Sequence, residues 1–113
     1  MKWRFFSDIE AHGLTDDLMH KLDRARELFG APIIITSGYR DPEKNESTGG
    51  VKDSEHTKGM GVDIRCVDSE LQKRLIWALC VAGFHRVGVY DRHLHVGVDS
   101  SKPSPAYWMG ESK

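Results

Sequence analysis

The chain has 113 residues, 39% of them hydrophobic, and a formal net charge of −1 with basic and acidic residues intermixed. This fits one domain with a modest core, argues against a dominant phosphate-binding face, and supplies no run of about 18 apolar residues to span a membrane. Neither nucleic acid nor a membrane is therefore expected as a partner. The opening Met1-Lys2-Trp3-Arg4-Phe5-Phe6-Ser7-Asp8 turns polar too soon for a secretory signal, so cytoplasmic synthesis is expected. Cys66 and Cys80 lie far apart in apolar patterns and form no CxxC or CxxH pair. Reduced core thiols are expected rather than a disulfide or a cysteine-rich zinc site.

In chain order, Trp3, Phe5 and Phe6 read as core aromatics. Ser7 and Glu10 have capping-box spacing, which predicts a short helix over about 8–12 ended by Gly13. Thr15 or Asp16 opens a longer helix. Leu18, Leu22, Ala25 and Phe29 mark one face of it, Met19 and Leu28 widen that face, and Gly30 and Pro32 end it. Ile33-Ile34-Ile35-Thr36 reads as a buried strand that delivers Ser37-Gly38-Tyr39-Arg40 to a surface. Residues 41–55 read as a polar loop with turn chemistry and no period, a length that is often functional. Val62–Val67 reads as a strand interrupted by Asp63.

Asp68 or Ser69 then caps a helix whose face carries Leu71, Leu75, Ala78, Leu79 and Ala82, broadened by Ile76 and Trp77 and closed by Gly83. Residues 86–90 and 93–98 read as two strands or one bent strand, and 99–113 as an irregular tail with Tyr107 and Trp108 folding back onto the body. The sum is a single α+β domain over 1–113, with a small, mostly antiparallel sheet and helices packed on one face.

Two segments stand apart from this scaffold: Ser54-Glu55-His56-Thr57-Lys58-Gly59-Met60-Gly61-Val62-Asp63 and Asp91-Arg92-His93-Leu94-His95-Val96. Strand alternation puts Asp91, His93 and His95 on one face, and Arg92, Leu94 and Val96 on the other. Alone, His93-x-His95 describes a solvated strand face better than a metal site, and a loop histidine such as His56 carries no signal. Asp63 is more informative. Between Val62 and Ile64 its charge needs a partner if buried, and a dication held also by two imidazoles would supply one. Two histidines and a carboxylate leave a fourth position for water, as in catalytic zinc sites.

The Ser-Gly-Tyr-Arg segment, then SxHxxGxxxD (Ser54, His56, Gly59, Asp63), then HxH (His93, His95), resembles the M15 family of zinc peptidases. These are D,D-carboxypeptidases and L-alanyl-D-glutamate endopeptidases of peptidoglycan stem peptides, and they share a fold with hedgehog signalling domains. The resemblance runs from about Ile33 to Val98. It implies one zinc ion per chain on His56, Asp63 and His95, with Arg40 binding or polarising the substrate. Tyr39 joins Arg40 as a substrate-binding candidate, and Ser54 either binds substrate or supports the His56 loop. For the general base, Asp91 is expected, with His93 stabilising the tetrahedral intermediate; the reverse assignment stays open. The sequence departs from many relatives in one place: His95 is followed by Val96-Gly97 instead of Val-Asp. If that aspartate supports a ligand histidine, its role is vacant here, and Asp99, on the same face, is the expected substitute.

The expected function is hydrolysis of peptidoglycan peptides by a monomeric enzyme, with the 41–55 loop as one wall of the substrate cleft. The absent signal suggests a phage or prophage lysis enzyme that reaches the wall through a holin. The rivals are a non-catalytic zinc module of hedgehog type and a cytosolic D-Ala-D-Ala dipeptidase.

Overall fold

Apolar residues spaced by three and four become helix α1, Asp16–Phe29, which buries Leu18, Met19, Leu22, Ala25 and Phe29. Thr15 Oγ1 accepts the Leu18 N–H at its start, and Gly30 ends it in the left-handed conformation with its N–H on the Arg26 carbonyl. The computed structural model describes residues 2–47 and 54–110. Ahead of α1, Ser7 and Glu10 do form the reciprocal box: the Ser7 N–H donates to Glu10 Oε1 at 2.9 Å and the Glu10 N–H to Ser7 Oγ at 3.1 Å. Residues 8–13 nevertheless form successive turns, not the expected helix. Gly13, at φ 74°, stops the segment before a helix can propagate.

Strand β1, Ile35–Ser37, is shorter and less buried than the sequence suggests. Ile33 enters the core, but Ile34 is exposed because successive side chains along this extended segment alternate between the core and the outside. The expected structureless loop contains helix α2, Pro42–Ser47. Pro42 sits in its first turn behind Asp41, whose Oδ1 accepts the Glu43 N–H at 2.8 Å. Six residues are too few to show a period, which is why composition read them as loop. Part of that loop, 48–53, lies outside the described residues. A 3-10 turn, Glu55–Lys58, leads into β2, Gly61–Arg65.

Helix α3, Ser69–Val81, is capped by Asp68, whose side chain accepts the Glu70 and Leu71 N–H groups. Its buried residues are Leu75, Ala78 and Leu79, while Leu71 and Trp77 are exposed, against expectation. Trp77 is two positions from both Leu75 and Leu79, about 200° around the helix, so it faces solvent. Arg74 ties α3 to α1 by donating to the Phe29 carbonyl at 3.2 Å.

Strands β3, Arg86–Val89, and β4, His93–Gly97, are separate and antiparallel. The tail is not wholly irregular: Ala106–Met109 form β5, which pairs parallel to β3. A four-residue strand has no pattern of its own, and the edge of β3 supplies its ladder. Residues 111–113 lie outside the described residues. The five-stranded sheet has the order β1-β2-β4-β3-β5, with β3–β5 its one parallel pairing.

The result is the expected α+β arrangement. Val62, Ile64, Val87, Leu94 and Val96 join the α1 and α3 side chains in one core. Burial of each large apolar side chain is worth about 1.5–3 kcal/mol. The opposite face of β2 and β4 carries Asp63, Arg65, His93 and His95. Both cysteines are free thiols. No helix among the described residues is long and apolar enough to cross a membrane.

Candidate metal centre

The register of β2 against β4 sets Asp63 opposite His95 and Arg65 opposite His93. Directly opposed side chains share a face, and here they meet: His95 Nδ1 lies 3.1 Å from Asp63 Oδ1. His56 comes from the 3-10 turn. Ser54 Oγ accepts the His56 N–H at 3.2 Å, and Thr57 Oγ1 donates to the Ser54 carbonyl at 2.7 Å. Gly59 closes the turn at φ 69°, with its N–H on the Glu55 and His56 carbonyls. A side chain there would also collide with the backbone at Gly13.

The His56 ring is buried, and its Nδ1 is 2.8 Å from the Gly38 carbonyl. A carbonyl only accepts, so Nδ1 carries the hydrogen and Nε2 is the nitrogen that could serve a metal, 3.2 Å from Asp63 Oδ1. From the same β1–α2 connection, the Arg40 N–H donates to the His56 carbonyl at 3.0 Å.

His56, Asp63 and His95 thus present one donor atom each within 4.8 Å of one another. Tetrahedral zinc with bonds near 2.0–2.1 Å requires donors about 3.4 Å apart. The pairs at 3.1 and 3.2 Å lie close to that spacing, and imidazole with carboxylate is a donor set zinc accepts. Burial raises the cost of charge on Asp63, but the two imidazoles outweigh it and hold the carboxyl well below its usual range. Burial likewise opposes charge on His95, yet the carboxylates of Asp63 and Glu55 prevail and raise its pKa. A positive charge among these groups is favoured, whether protons or a dication carry it.

The sequence profile of the family described as Peptidase M15 matches residues 5–99. The chain belongs to the peptidase M15 family. No curated protein matches it by sequence. Among solved structures it is similar to the L-Ala D-Glu endopeptidase ChiX of Serratia marcescens, with a TM-score of 0.63 and 16% identity over 82% of this chain and 86% of that one. At that identity the likeness is one of fold.

Around the three donors, this M15 peptidase arranges the other sequence candidates unevenly. The Arg40 guanidinium is held by Ser37 Oγ at 2.8 Å and Asn45 Oδ1 at 3.0 Å, both uncharged acceptors. Tyr39 is exposed, with its ring edge-on to His12 at 6.2 Å. Ser54 is buried and makes the capping contact described above, which is the supporting role. His93 shares the face of His95 and stacks on Tyr90 with ring centroids 4.4 Å apart. Asp91 is exposed in the β3–β4 turn, ahead of the first residue of β4, so strand alternation does not place it on the ligand face. Asp99 does not take the supporting role expected of it. Its carboxylate is bound by Lys58 at 2.8 Å and by Ser101, and chiefly the Lys58 contact pulls its pKa down to about 2.

Two residues of the site escaped the sequence reading. Glu55 is buried, and its Oε1 lies 2.9 Å from His95 Nε2. Its Oε2 accepts the Asp99 N–H at 3.1 Å and lies 3.2 Å from Arg86 Nε, out of line for a hydrogen bond. Burial works against its charge, but His95, the Asp99 N–H and Arg86 lower its pKa. The signal was an acid directly before His56 in a buried turn, and it passed for a solvated loop residue. Trp108 is the other. It lies opposite Gly88, where an added Cβ would come within 2.5 Å of its ring, and its centroid is 5.9 Å from that of His95. Its Nε1–H donates to Tyr90 Oη at 3.0 Å, and Arg86 lies over its ring. A bare glycine in β3 leaves room for that indole.

Proposed function

We propose that this M15 peptidase is a zinc enzyme that hydrolyses the stem peptides of bacterial peptidoglycan, as a D,D-carboxypeptidase or an L-Ala-D-Glu endopeptidase. The observation that carries the reading is the cluster of His56 Nε2, Asp63 Oδ1 and His95 Nδ1 on the polar face of the sheet. Membership of the M15 peptidases, together with a fold shared with an L-Ala D-Glu endopeptidase, supports peptidoglycan peptides as the substrate class. Bound zinc supplies Lewis acidity, which polarises a carbonyl and lowers the pKa of water.

The protein's own groups divide the rest. Arg40, anchored by two neutral acceptors and by the His56 carbonyl, keeps its charge for a substrate carboxylate or a developing oxyanion. His93 takes the proton-transfer role. It is in β4 on the face of His95, whereas Asp91 precedes the strand in the β3–β4 turn. Trp108 walls the cleft beside His95. A single domain acting at the wall as a lysis enzyme belongs to the same proposal.

The test is incubation of the zinc-loaded full chain with defined muropeptides, with products read by mass spectrometry. A cut between L-alanine and D-glutamate identifies the endopeptidase, and released D-alanine the carboxypeptidase. Zinc bound at one equivalent without turnover of muropeptides or D-alanyl dipeptides would replace this reading with a non-catalytic zinc module. Loss of turbidity of purified sacculi checks the lysis role. His93→Ala should abolish turnover with zinc retained, while Asp91→Ala should leave most of it; the opposite outcome returns the base to Asp91.

A further inference from the structure

We infer that Glu55 is a positioning residue for His95, and that its carboxylate occupies the place of a side chain on residue 97. The inference rests on the metal-centre reading above, and it concerns how one ligand is aimed. His95 has two ring nitrogens. Nδ1 faces Asp63 Oδ1 at 3.1 Å, on the side where His56 Nε2 also converges. Nε2 faces Glu55 Oε1 at 2.9 Å. A carboxylate only accepts, so once a dication takes the Nδ1 lone pair Glu55 would hold the remaining hydrogen on Nε2 and stop the ring from turning over.

The carboxylate is itself fixed from two other elements, by the Asp99 N–H at 3.1 Å and by Arg86 at 3.2 Å. It is 4% exposed, so water does not compete for it.

Gly97 supplies the second, independent observation. A Cβ built there would fall onto Oε1, Oε2 and Cδ of Glu55, closer than any real contact. The backbone does not require glycine, because Gly97 is absent from the positive-φ residues. What requires it is the neighbouring carboxylate. Residues 55 and 97 are therefore alternatives for one volume beside His95 Nε2. This chain places an acid in the turn before β2 and leaves the position two after His95 bare.

The experiment is zinc titration of the full chain against a chromophoric chelator, with cobalt absorption spectra and metal-free thermal melts run on the same samples. Glu55→Ala should weaken zinc binding about 10–100-fold, the range found when the partner of a ligand histidine is removed. Glu55→Gln, which keeps the shape, should shift the cobalt bands with a melt close to wild type. The double variant Glu55→Ala with Gly97→Asp returns a carboxylate to the same volume and should recover most of the lost affinity. Wild-type affinity and cobalt spectra in both Glu55 variants, even with lower melts, would reduce Glu55 to a structural residue. A double variant no better than Glu55→Ala alone would overturn the exchange between positions 55 and 97. If wild type takes up no zinc, the metal-centre reading itself falls, which is a separate outcome.

Discussion

Strands β2 and β4 carry two faces made by alternate residues of the same ten-residue ladder, and the faces obey opposite rules. On one, Val62, Ile64, Leu94 and Val96 are fully buried among apolar side chains, and each contributes by leaving water. On the other, Asp63 and His95 are also largely removed from water but keep their charge chemistry through their mutual contact at 3.1 Å and the contact of Asp63 with His56 at 3.2 Å. The first face is tolerant in chemistry and strict in volume. The second is strict in chemistry, and its cost of burial is offset by pairing or by a metal. Neighbours one residue apart, such as Leu94 and His95, should therefore fail in different ways.

That contrast can be broken at several depths. The largest effect is expected from His95→Ala, which should lower zinc affinity more than about 100-fold, beyond the loss from removing only a ligand's partner, with the metal-free fold retained by circular dichroism. Leu94→Ala should do the reverse: a loss of about 2–5 kcal/mol in urea unfolding with zinc stoichiometry unchanged. Should Leu94→Ala abolish zinc binding in protein that remains folded, the two faces are not separable. Gly88→Ala pushes a Cβ to 2.5 Å from the Trp108 ring and should cost about 1–3 kcal/mol. Adding Trp108→Ala should relieve part of that cost, and a double-mutant cycle measures how much.

At the margin of the polar face, Asp99 tests electrostatics without a ligand. Its folded pKa of about 2 lies below its ordinary 3.8, so its contribution is complete above about pH 4 and is lost as pH falls through 2. Asp99→Asn should therefore destabilise by on the order of 1 kcal/mol at pH 6, screened by the partly exposed Lys58, and the gap from wild type should narrow below pH 4 and close below pH 2. The smallest effect belongs to Trp77→Lys on the outer side of α3, expected within about 0.5 kcal/mol in either direction.

Much of the scaffold could be read from spacing alone. The bounds of α1 follow from Thr15, Gly30 and an apolar stripe, and the helical cap at Asp68 was visible as one of two adjacent candidates. Short elements were not legible. Helix α2 has six residues and β5 four, too few for a period, and each forms because something outside it completes its hydrogen bonds or packing. Strand alternation placed His93 and His95 correctly relative to each other. It does not extend to Asp91, because β4 begins only at His93.

His56, Asp63 and His95 were visible as residue types, because a carboxylate between Val62 and Ile64 demands a partner wherever the strand packs. Their meeting at one point was decided by the β2–β4 register and by the turn from Ser54 to Gly59, which carry residues distant in the chain to within hydrogen-bond range. The bare position at Gly97 was equally visible as an absence. That Glu55 fills it, and not Asp99, depends on two backbones approaching closely enough for a carboxylate to replace a missing side chain. Spacing along a chain encodes which face a residue takes, because helix and strand periods are local. It does not encode which distant side chain arrives on that face, because that is set by the packing of the whole sheet.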